Sequence, residues 1–359
     1  MAKNYYLKSL FYFLKSKQLA LVTIFLLTVL SVLGMIVSQD SADVALRRVF
    51  ASWWFIVTAF VFLLNLFLCT VAQLRLSVVR RAGLHTWGKT VFHVGLVLVA
   101  VGGFVSTGFK MSGYFMVAEG EIRPEVHTNY REIEEGPLFS EKMHQGFAVT
   151  LLKQSPVYDR QGRVNYIRSK VAIIEEGKTV AAHWVEKGSP LIYKNYRFFY
   201  YLAGFAPMVT IRDSNGKIIY QTFLLLNTYQ EGEKPAAYSV TGQPLYETPF
   251  TVDLQFFPDA RQKNGNLIGV SDRLLNPVAY ITVYDRTKKK LAEGIISDKQ
   301  GVLLPGKQTI ALGSEVRRWV GLEVVNDPGA RILFAGFWVS LFGLIMFFLK
   351  GLQLRIKEA

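Results

Sequence analysis

Four long apolar stretches interrupt the polar positions of this chain. They cover residues 19–37, 51–72, 90–109 and 332–349, and each holds at least 18 consecutive residues without Asp, Glu, Lys or Arg. Because a helix rises about 1.5 Å per residue, such a stretch spans the roughly 30 Å hydrocarbon core of a bilayer. The pattern predicts a polytopic α-helical membrane protein with four transmembrane helices.

Residues 110–329 have a different pattern, with short stretches of alternating, β-branched and aromatic residues separated by turn formers. Ser214-Asn215-Gly216 separates two such stretches, and Asn-Gly supplies the positive φ angles that a tight hairpin turn needs. The basic run 286–290 predicts another solvated turn. We therefore expect a large, mainly β domain, built as a sandwich or an open barrel and inserted between the third and fourth helices.

The distribution of charge predicts how these parts are oriented. The net charge is +14, but outside residues 110–329 there are 14 Lys and Arg against three acids. Basic residues cluster at the N-terminus, in the loop 73–89 and in the C-terminal tail, which places these parts in the cytoplasm. Since the excess lies beside the apolar stretches, we expect a membrane partner and no nucleic acid.

Three regions follow from this pattern. Residues 1–109 form an N-terminal membrane region with three helices, residues 110–329 form an extracytoplasmic β-rich domain, and residues 330–359 contain the fourth helix and a cytoplasmic tail. Cys69 is the only cysteine, so the chain has no internal disulfide and no paired-cysteine metal motif.

His93 is the main candidate for chemistry, because it lies near the start of the third apolar stretch. An ionisable side chain inside a membrane span is costly and often marks a ligand or relay site, and imidazole is a common haem ligand. The alternative is a histidine that bonds a nearby carbonyl or reaches the interface. Small residues could let a flat ligand or another helix approach this helix closely. The residues of this thin face are Gly95, Leu96, Ala100, Gly102 and Gly103.

Other candidates have simpler interpretations. His127, His144 and His183 are widely spaced and match no metal motif, so we expect surface or core histidines. Asn65 is a polar group within an apolar stretch, which predicts a hydrogen bond to another helix. His85, beside Trp87, is expected to anchor at the interface. With no nucleophile–base pair or carboxylate cluster, the chain is expected to be a non-catalytic subunit.

The order of these pieces resembles the ResB family of cytochrome c biogenesis proteins. The likeness rests on SWWF (52–55), the N-L-x-x-C-T pattern (65–70), the H-x-G-L start of the third apolar stretch (93–96) and the DPG entry to the fourth (327–329). It implies a system II cytochrome c synthase subunit of the bacterial inner membrane. Such a subunit works with a CcsA-type, tryptophan-rich partner, and together they move haem outward and present it to the C-x-x-C-H thiols of apocytochrome c.

The resemblance also implies that His93 is one axial ligand of a membrane-embedded haem b. No other apolar stretch contains a histidine, so the second ligand is expected from the partner subunit. Two further interpretations remain open: a membrane b-type haem electron-transfer subunit, and a non-haem, membrane-anchored binding or scaffold protein with an exported β domain.

Overall fold

The part of the chain that the structure describes contains four long helices and eighteen strands. The computed structural model describes residues 12–39, 46–50, 52–79, 83–229, 237–263 and 266–358. The helices are α1 (Lys17–Ser38), α2 (Trp53–Val79), α3 (Leu84–Phe109) and α4 (Gly329–Glu358). All four are long and apolar enough to cross a membrane, α4 over Gly329–Leu349.

The predicted helix boundaries need correction at α2, α3 and α4. Helix α2 continues seven residues beyond the predicted end at 72, and α3 begins six residues before the predicted start at 90. Helix α4 starts at Gly329 and continues to Glu358. Polar residues in these extensions still form helical hydrogen bonds, so hydrophobicity marks only the part that is suited to lipid. Ala51, the predicted start of the second span, lies outside the described residues.

The helices pack in chain order, with α3 against α2 and along α4. Glycines spaced by seven residues face each other along the α3–α4 contact, where an added Cβ would collide with the neighbouring helix. Those of α3 are Gly88, Gly95 and Gly102, and those of α4 are Gly329, Gly336 and Gly343. In a membrane, where apolar side chains gain little by leaving lipid, such close backbone approach is a main source of helix association.

A few polar contacts fix the ends of the helices. Asn65 Nδ2 donates to the carbonyl oxygens of Leu14 (2.7 Å) and Ser16 (3.0 Å), which confirms that it bonds a neighbouring segment. Asp327 accepts hydrogen bonds from the first two backbone amides of α4, at Gly329 and Ala330. The DPG entry is therefore a helix cap, in which the carboxylate satisfies amides that have no partner within the helix.

The remaining regular structure is β. The strands are β1 (Met111–Ala118), β2 (Ile122–Pro124), β3 (Tyr130–Glu135), β4 (Ala148–Tyr158), β5 (Val164–Glu175), β6 (Lys178–Val185), β7 (Leu191–Tyr193), β8 (Tyr196–Arg212), β9 (Ile218–Phe223), β10 (Asn227–Tyr229), β11 (Ala237–Pro244), β12 (Thr251–Phe257), β13 (Asp259–Lys263), β14 (Asn266–Ser271), β15 (Val278–Tyr284), β16 (Lys290–Ile296), β17 (Gly301–Leu304) and β18 (Gln308–Asn326). All strand pairs within the sheets are antiparallel.

Two long strands organise the β domain. Strands β8 and β18 pair with each other in a seven-stranded sheet that also holds β1, β3, β7, β9 and β17. One hydrophobic core joins part of this sheet to the five-stranded sheet β10-β11-β12-β15-β16. A second core joins another part to the four-stranded sheet β2-β4-β5-β6. Of the two predicted alternatives, this layering corresponds to a sandwich.

The predicted turns and domain limits can be checked directly. Strands β8 and β9 form a hairpin in which Gly216 has a φ of 80°, as the Asn-Gly turn requires. The β domain comprises Met111–Glu135 and Phe139–Asn326, whereas Gly136–Leu138 belongs to the helical unit. The backbone explains this exception, because Gly136 N donates to Lys110 O and Leu138 N donates to Gly108 O.

Candidate functional site

The His93 side chain is held by its own helix. Its Nδ1 lies 2.8 Å from the carbonyl oxygen of Lys89, one turn earlier in α3. A carbonyl oxygen only accepts, so Nδ1 carries a proton, and in the tautomer protonated there the Nε2 lone pair is left for another partner. This bond fixes both the tautomer and the direction of the ring, as a second hydrogen bond does for many metal-binding histidines.

A cavity of about 630 Å³ lies beside His93. Its lining comes from all four helices at the same end of the bundle: the start of α1, the second half of α2, the start of α3 and the second half of α4. The volume falls in the usual range of small-molecule sites, about 300–1,000 Å³. Its apolar lining includes Ala72, Leu76, Phe92, Leu344 and Phe347.

Among the residues that the structure describes, the polar groups of the cavity are few and mostly cationic. Lys15, Lys17 and Lys89 line it, and none of the described lining residues is Asp or Glu. Gln73 also lines the cavity, and its Oε1 is buried without a hydrogen-bond partner among the described residues. The arrangement therefore suits a mainly apolar ligand that carries negative charge and brings a donor near Gln73.

Two residues of the predicted thin face serve helix packing, not ligand contact. A Cβ added to Gly95 would collide with Ser340, and one added to Gly102 would collide with Leu333. The space beside both glycines is filled by α4, so we correct their interpretation as cofactor contacts. The small residues predicted that another group can approach this face of α3 closely. They did not specify whether that group is a flat ligand or another helix.

The other three residues of that face also lie outside the lining of the His93 cavity. Ala100 lines a separate apolar cavity between α2 and α3. Leu96 is half-buried, and a Cβ added at Gly103 would meet nothing within 4 Å. Of the residues predicted to contact the cofactor, His93 lines the cavity and the five residues of the thin face do not.

Cys69 and His85 both contact other segments of the helical unit. Cys69 lines the cavity, and its Sγ lies 3.3 Å from the Lys15 carbonyl oxygen. The His85 ring stacks on Phe347, with centroids 4.2 Å apart, and its Nδ1 lies 3.1 Å from the Phe347 carbonyl oxygen. His85 thus contacts α4, a role that the expected interfacial anchoring did not include.

The β domain contains a histidine–carboxylate cluster that sequence reasoning missed. His127 Nδ1 lies 2.9 Å from Glu135 Oε1, and His144 Nε2 lies 3.1 Å from the same oxygen. His144 Nδ1 lies 2.6 Å from Glu125 Oε1. The His144 side chain is buried and that of His127 is partly exposed, as expected of a core and a surface histidine, but the sequence did not predict that both contact Glu135. His183 is exposed and lies 2.8 Å from Ser189 Oγ, as expected of a surface histidine.

The cluster changes the proton affinity of two of its members. The hydrogen bond to Glu135 raises the pKa of His127. Partial burial opposes ionisation of Glu135, but hydrogen bonds from His127 and His144 outweigh it and lower the pKa of that carboxyl. Favourable charge pairing therefore dominates over desolvation at this site.

Comparison with known proteins identifies a family whose model matches most of the chain. A family model described as ResB-like matches residues 77–351, a range that includes α3, the β domain and most of α4. Two relatives, from Trichormus variabilis and Nostoc sp., are both named cytochrome c biogenesis protein CcsB. Each is 23% identical over 274 residues, which cover 74% of this chain and 52% of the relative. The chain thus spans about half the length of the curated relatives it matches.

Proposed function

The chain belongs to the ResB-like family, and on that basis we propose that it works in cytochrome c biogenesis as a haem-holding subunit of a membrane synthase. The names of the two relatives support the process. The haem assignment rests on His93, which lines a mainly apolar cavity. Its Nε2 has no hydrogen-bond partner among the described residues. His93 would hold the iron of haem b as one axial ligand.

The donor set around the cavity fits a haem. The apolar walls suit a porphyrin ring, and Lys15, Lys17 and Lys89 supply positive charge for its two propionates. The hydrogen bond from His93 Nδ1 to the Lys89 carbonyl oxygen also makes Nε2 a better ligand, because it holds the ring in one tautomer. When bound, haem supplies the vinyl groups to which cytochrome thiols become attached.

The second axial ligand would come from a CcsA-type partner. Within the described part of the chain no second histidine lines the cavity, and six-coordinate haem needs two ligands. The open side of the cavity would allow the partner to contribute a ligand there. A shared site of this kind would couple haem retention to complex assembly, since neither subunit alone completes the coordination.

The positions of the basic residues support an orientation for this complex. The lysines of the cavity lie among the charges that the positive-inside rule places in the cytoplasm. His93 would then hold haem near the cytoplasmic side of the bacterial inner membrane, and the β domain would lie outside. In this arrangement the chain receives haem at one side, and its exported domain helps present haem to apocytochrome c at the other.

Haem content of the purified complex tests the proposal. The full chain is co-expressed with a CcsA-type partner, purified, and its haem is quantified from the pyridine haemochrome spectrum. We expect His93→Ala to lower haem per complex at least about tenfold, the loss of one strong ligand bond. His183→Ala, which removes an exposed histidine of the β domain, should leave haem content unchanged.

The same experiment separates the other two interpretations. A stable bis-histidine spectrum from this chain purified without a partner would favour an electron-transfer cytochrome. A colourless complex with its partner would favour a non-haem scaffold. Equal haem in wild type and His93→Ala would overturn the proposed ligand.

A further inference from the structure

We propose that His127, Glu135 and His144 form a binding site for one divalent transition-metal ion, of which zinc is the best match. The three side chains come from a 3₁₀ turn at His127–Asn129, the end of β3, and the residue after a second 3₁₀ turn at Glu141–Met143. Each offers one ligand atom, and these atoms all lie within 4.8 Å of one another.

The separations suit a common metal ion. Zinc binds histidine nitrogens and carboxylate oxygens at about 2.0–2.2 Å in tetrahedral geometry, so its ligand atoms lie roughly 3.3–3.5 Å apart. Glu135 Oε1 lies 2.9 Å from His127 Nδ1 and 3.1 Å from His144 Nε2. These two separations are a few tenths of an ångström below that value, and the two histidine nitrogens lie within 4.8 Å of each other. Side-chain adjustment would therefore place the three ligands around one ion.

His144 is oriented for this role by a buried carboxylate. Its Nδ1 lies 2.6 Å from Glu125 Oε1, and because a carboxylate only accepts, Nδ1 carries a proton. Nε2 faces Glu135 Oε1 and can bind a metal ion once it releases the proton that it donates to this oxygen. Carboxylate–histidine–metal chains of this type fix the tautomer of the ligand and make it more basic.

The carboxylate behind His144 is itself well fixed. Glu125 is fully buried, its Oε1 accepts from the Tyr130 hydroxyl (3.0 Å), and its Oε2 accepts from the backbone amide of Gln145 (2.8 Å). With His144, three donors hold this carboxylate in place. The support for the ligand is therefore present before any metal ion binds, which reduces the free-energy cost of assembling the site.

One side of the cluster is open to solvent. The His144 side chain is 4% exposed, that of Glu135 22% and that of His127 43%. A metal ion could enter past His127, and three protein ligands leave a fourth position for water or another group. Two imidazoles and one carboxylate favour zinc over magnesium or calcium, which prefer oxygen ligands.

The competing interpretation is a metal-free ion-pair cluster. In that case His144 would carry protons on both nitrogens and sit as an imidazolium between Glu125 and Glu135. Both interpretations use the same contacts. A measurement of metal binding therefore distinguishes them, whereas a measurement of domain stability does not.

Metal binding by the full chain in detergent decides between them. The tag-free protein is stripped with a chelator, incubated with Zn²⁺ and analysed for bound metal by mass spectrometry. Co²⁺ loading in parallel reports tetrahedral ligation through its visible absorption. We expect one equivalent of zinc in wild type and in two matched controls, His183→Ala and Glu134→Gln, which change exposed side chains of the same domain.

Three variants define the result. His127→Ala and Glu135→Gln should each weaken zinc binding more than Glu125→Gln, which should weaken it about 10–100-fold. His127 is substantially exposed, so His127→Ala should keep the metal-free melting temperature of wild type while losing the increase that zinc produces. Absence of bound zinc in wild type, or equal zinc in wild type, His127→Ala and Glu135→Gln, would overturn the proposal.

Discussion

His93 in α3 and His144 in the β domain have different hydrogen-bond partners. His93 donates from Nδ1 to one neutral carbonyl oxygen, and its cavity is lined by apolar and basic side chains. His144 lies between two carboxylates, each within hydrogen-bond distance of one ring nitrogen. Among the described residues, only Nδ1 of the first ring has a hydrogen-bond partner, and this ring lines a mainly apolar cavity, whereas the second ring contacts two carboxylates.

This difference determines which ligand each site suits. A neutral imidazole beside lysines fits an iron porphyrin, which brings its own macrocycle and negative propionates. An imidazole supported by carboxylates fits a bare divalent cation, because the carboxylate charges offset that of the ion. Under the two proposals, the same residue type would support two kinds of metal chemistry in one chain, and its neighbours would decide which.

The largest expected effect comes from removing the charge behind His144. Glu125→Ala would leave the His144 ring, the Tyr130 hydroxyl and the Gln145 amide without their shared acceptor. Breaking a buried, charged network by removing one member costs about 3–5 kcal/mol. The thermal unfolding midpoint of the β domain should fall strongly, whereas Glu134→Ala, at an exposed position of β3, should change stability by less than about 0.5 kcal/mol. A midpoint that is the same in both variants would contradict the importance of the network.

A smaller effect is expected in the helical unit, which depends on close packing. Gly95→Val should push α4 away from α3, because any Cβ at this position collides with Ser340. Overpacking of this kind costs about 1–3 kcal/mol. Gly103→Val is the matched control in the same helix, since a Cβ there meets nothing within 4 Å. Thermal aggregation in detergent should shift to lower temperature for Gly95→Val only, and equal shifts would argue against the glycine contact.

The smallest effect is expected at Asp272, a buried carboxylate of the β domain with less support than Glu125. Its Oδ2 accepts from the Val164 amide, and its Oδ1 is buried without a partner among the described residues. Burial raises the pKa of this carboxyl above its ordinary value of 3.8. The folded domain therefore holds the proton more tightly than the unfolded chain does, and this stabilisation is lost as pH rises through the folded-state pKa.

Asp272→Asn removes that pH dependence while keeping an oxygen for the Val164 amide. Relative to wild type, the variant should gain stability as pH rises from about 3.5 to about 7. Melting temperatures measured across this range test the sign. A variant that loses stability relative to wild type over the same rise would contradict it.

The architecture was largely predictable because its signals are local. Continuous apolar stretches located the four helices, and alternation with an Asn-Gly turn identified β structure and the hairpin at Gly216. The seven-residue spacing of Gly88, Gly95 and Gly102 was also visible in the sequence. It could have identified α4 as the neighbour, because Gly329, Gly336 and Gly343 repeat the same spacing.

The sites were less predictable because they depend on folding. His93 was evident as a rare ionisable residue in an apolar stretch, but Gln73 and the lysines of its cavity come from separate helices. The β-domain cluster matches no spacing motif, since His127 and His144 are 17 positions apart and meet only through the fold around β3. The density of Glu and His between residues 119 and 144 was the available signal, and it did not specify which side chains would face each other.

Chemical rescue of His93→Gly tests the central claim most directly. The variant removes the imidazole and leaves a space that free imidazole can enter, so the complex with a CcsA-type partner is purified with and without added imidazole. We expect the variant alone to lack most of its haem, and imidazole to restore both haem content and the absorption bands of the wild-type complex. Wild-type haem content and spectrum in His93→Gly without imidazole would show that His93 does not bind the iron.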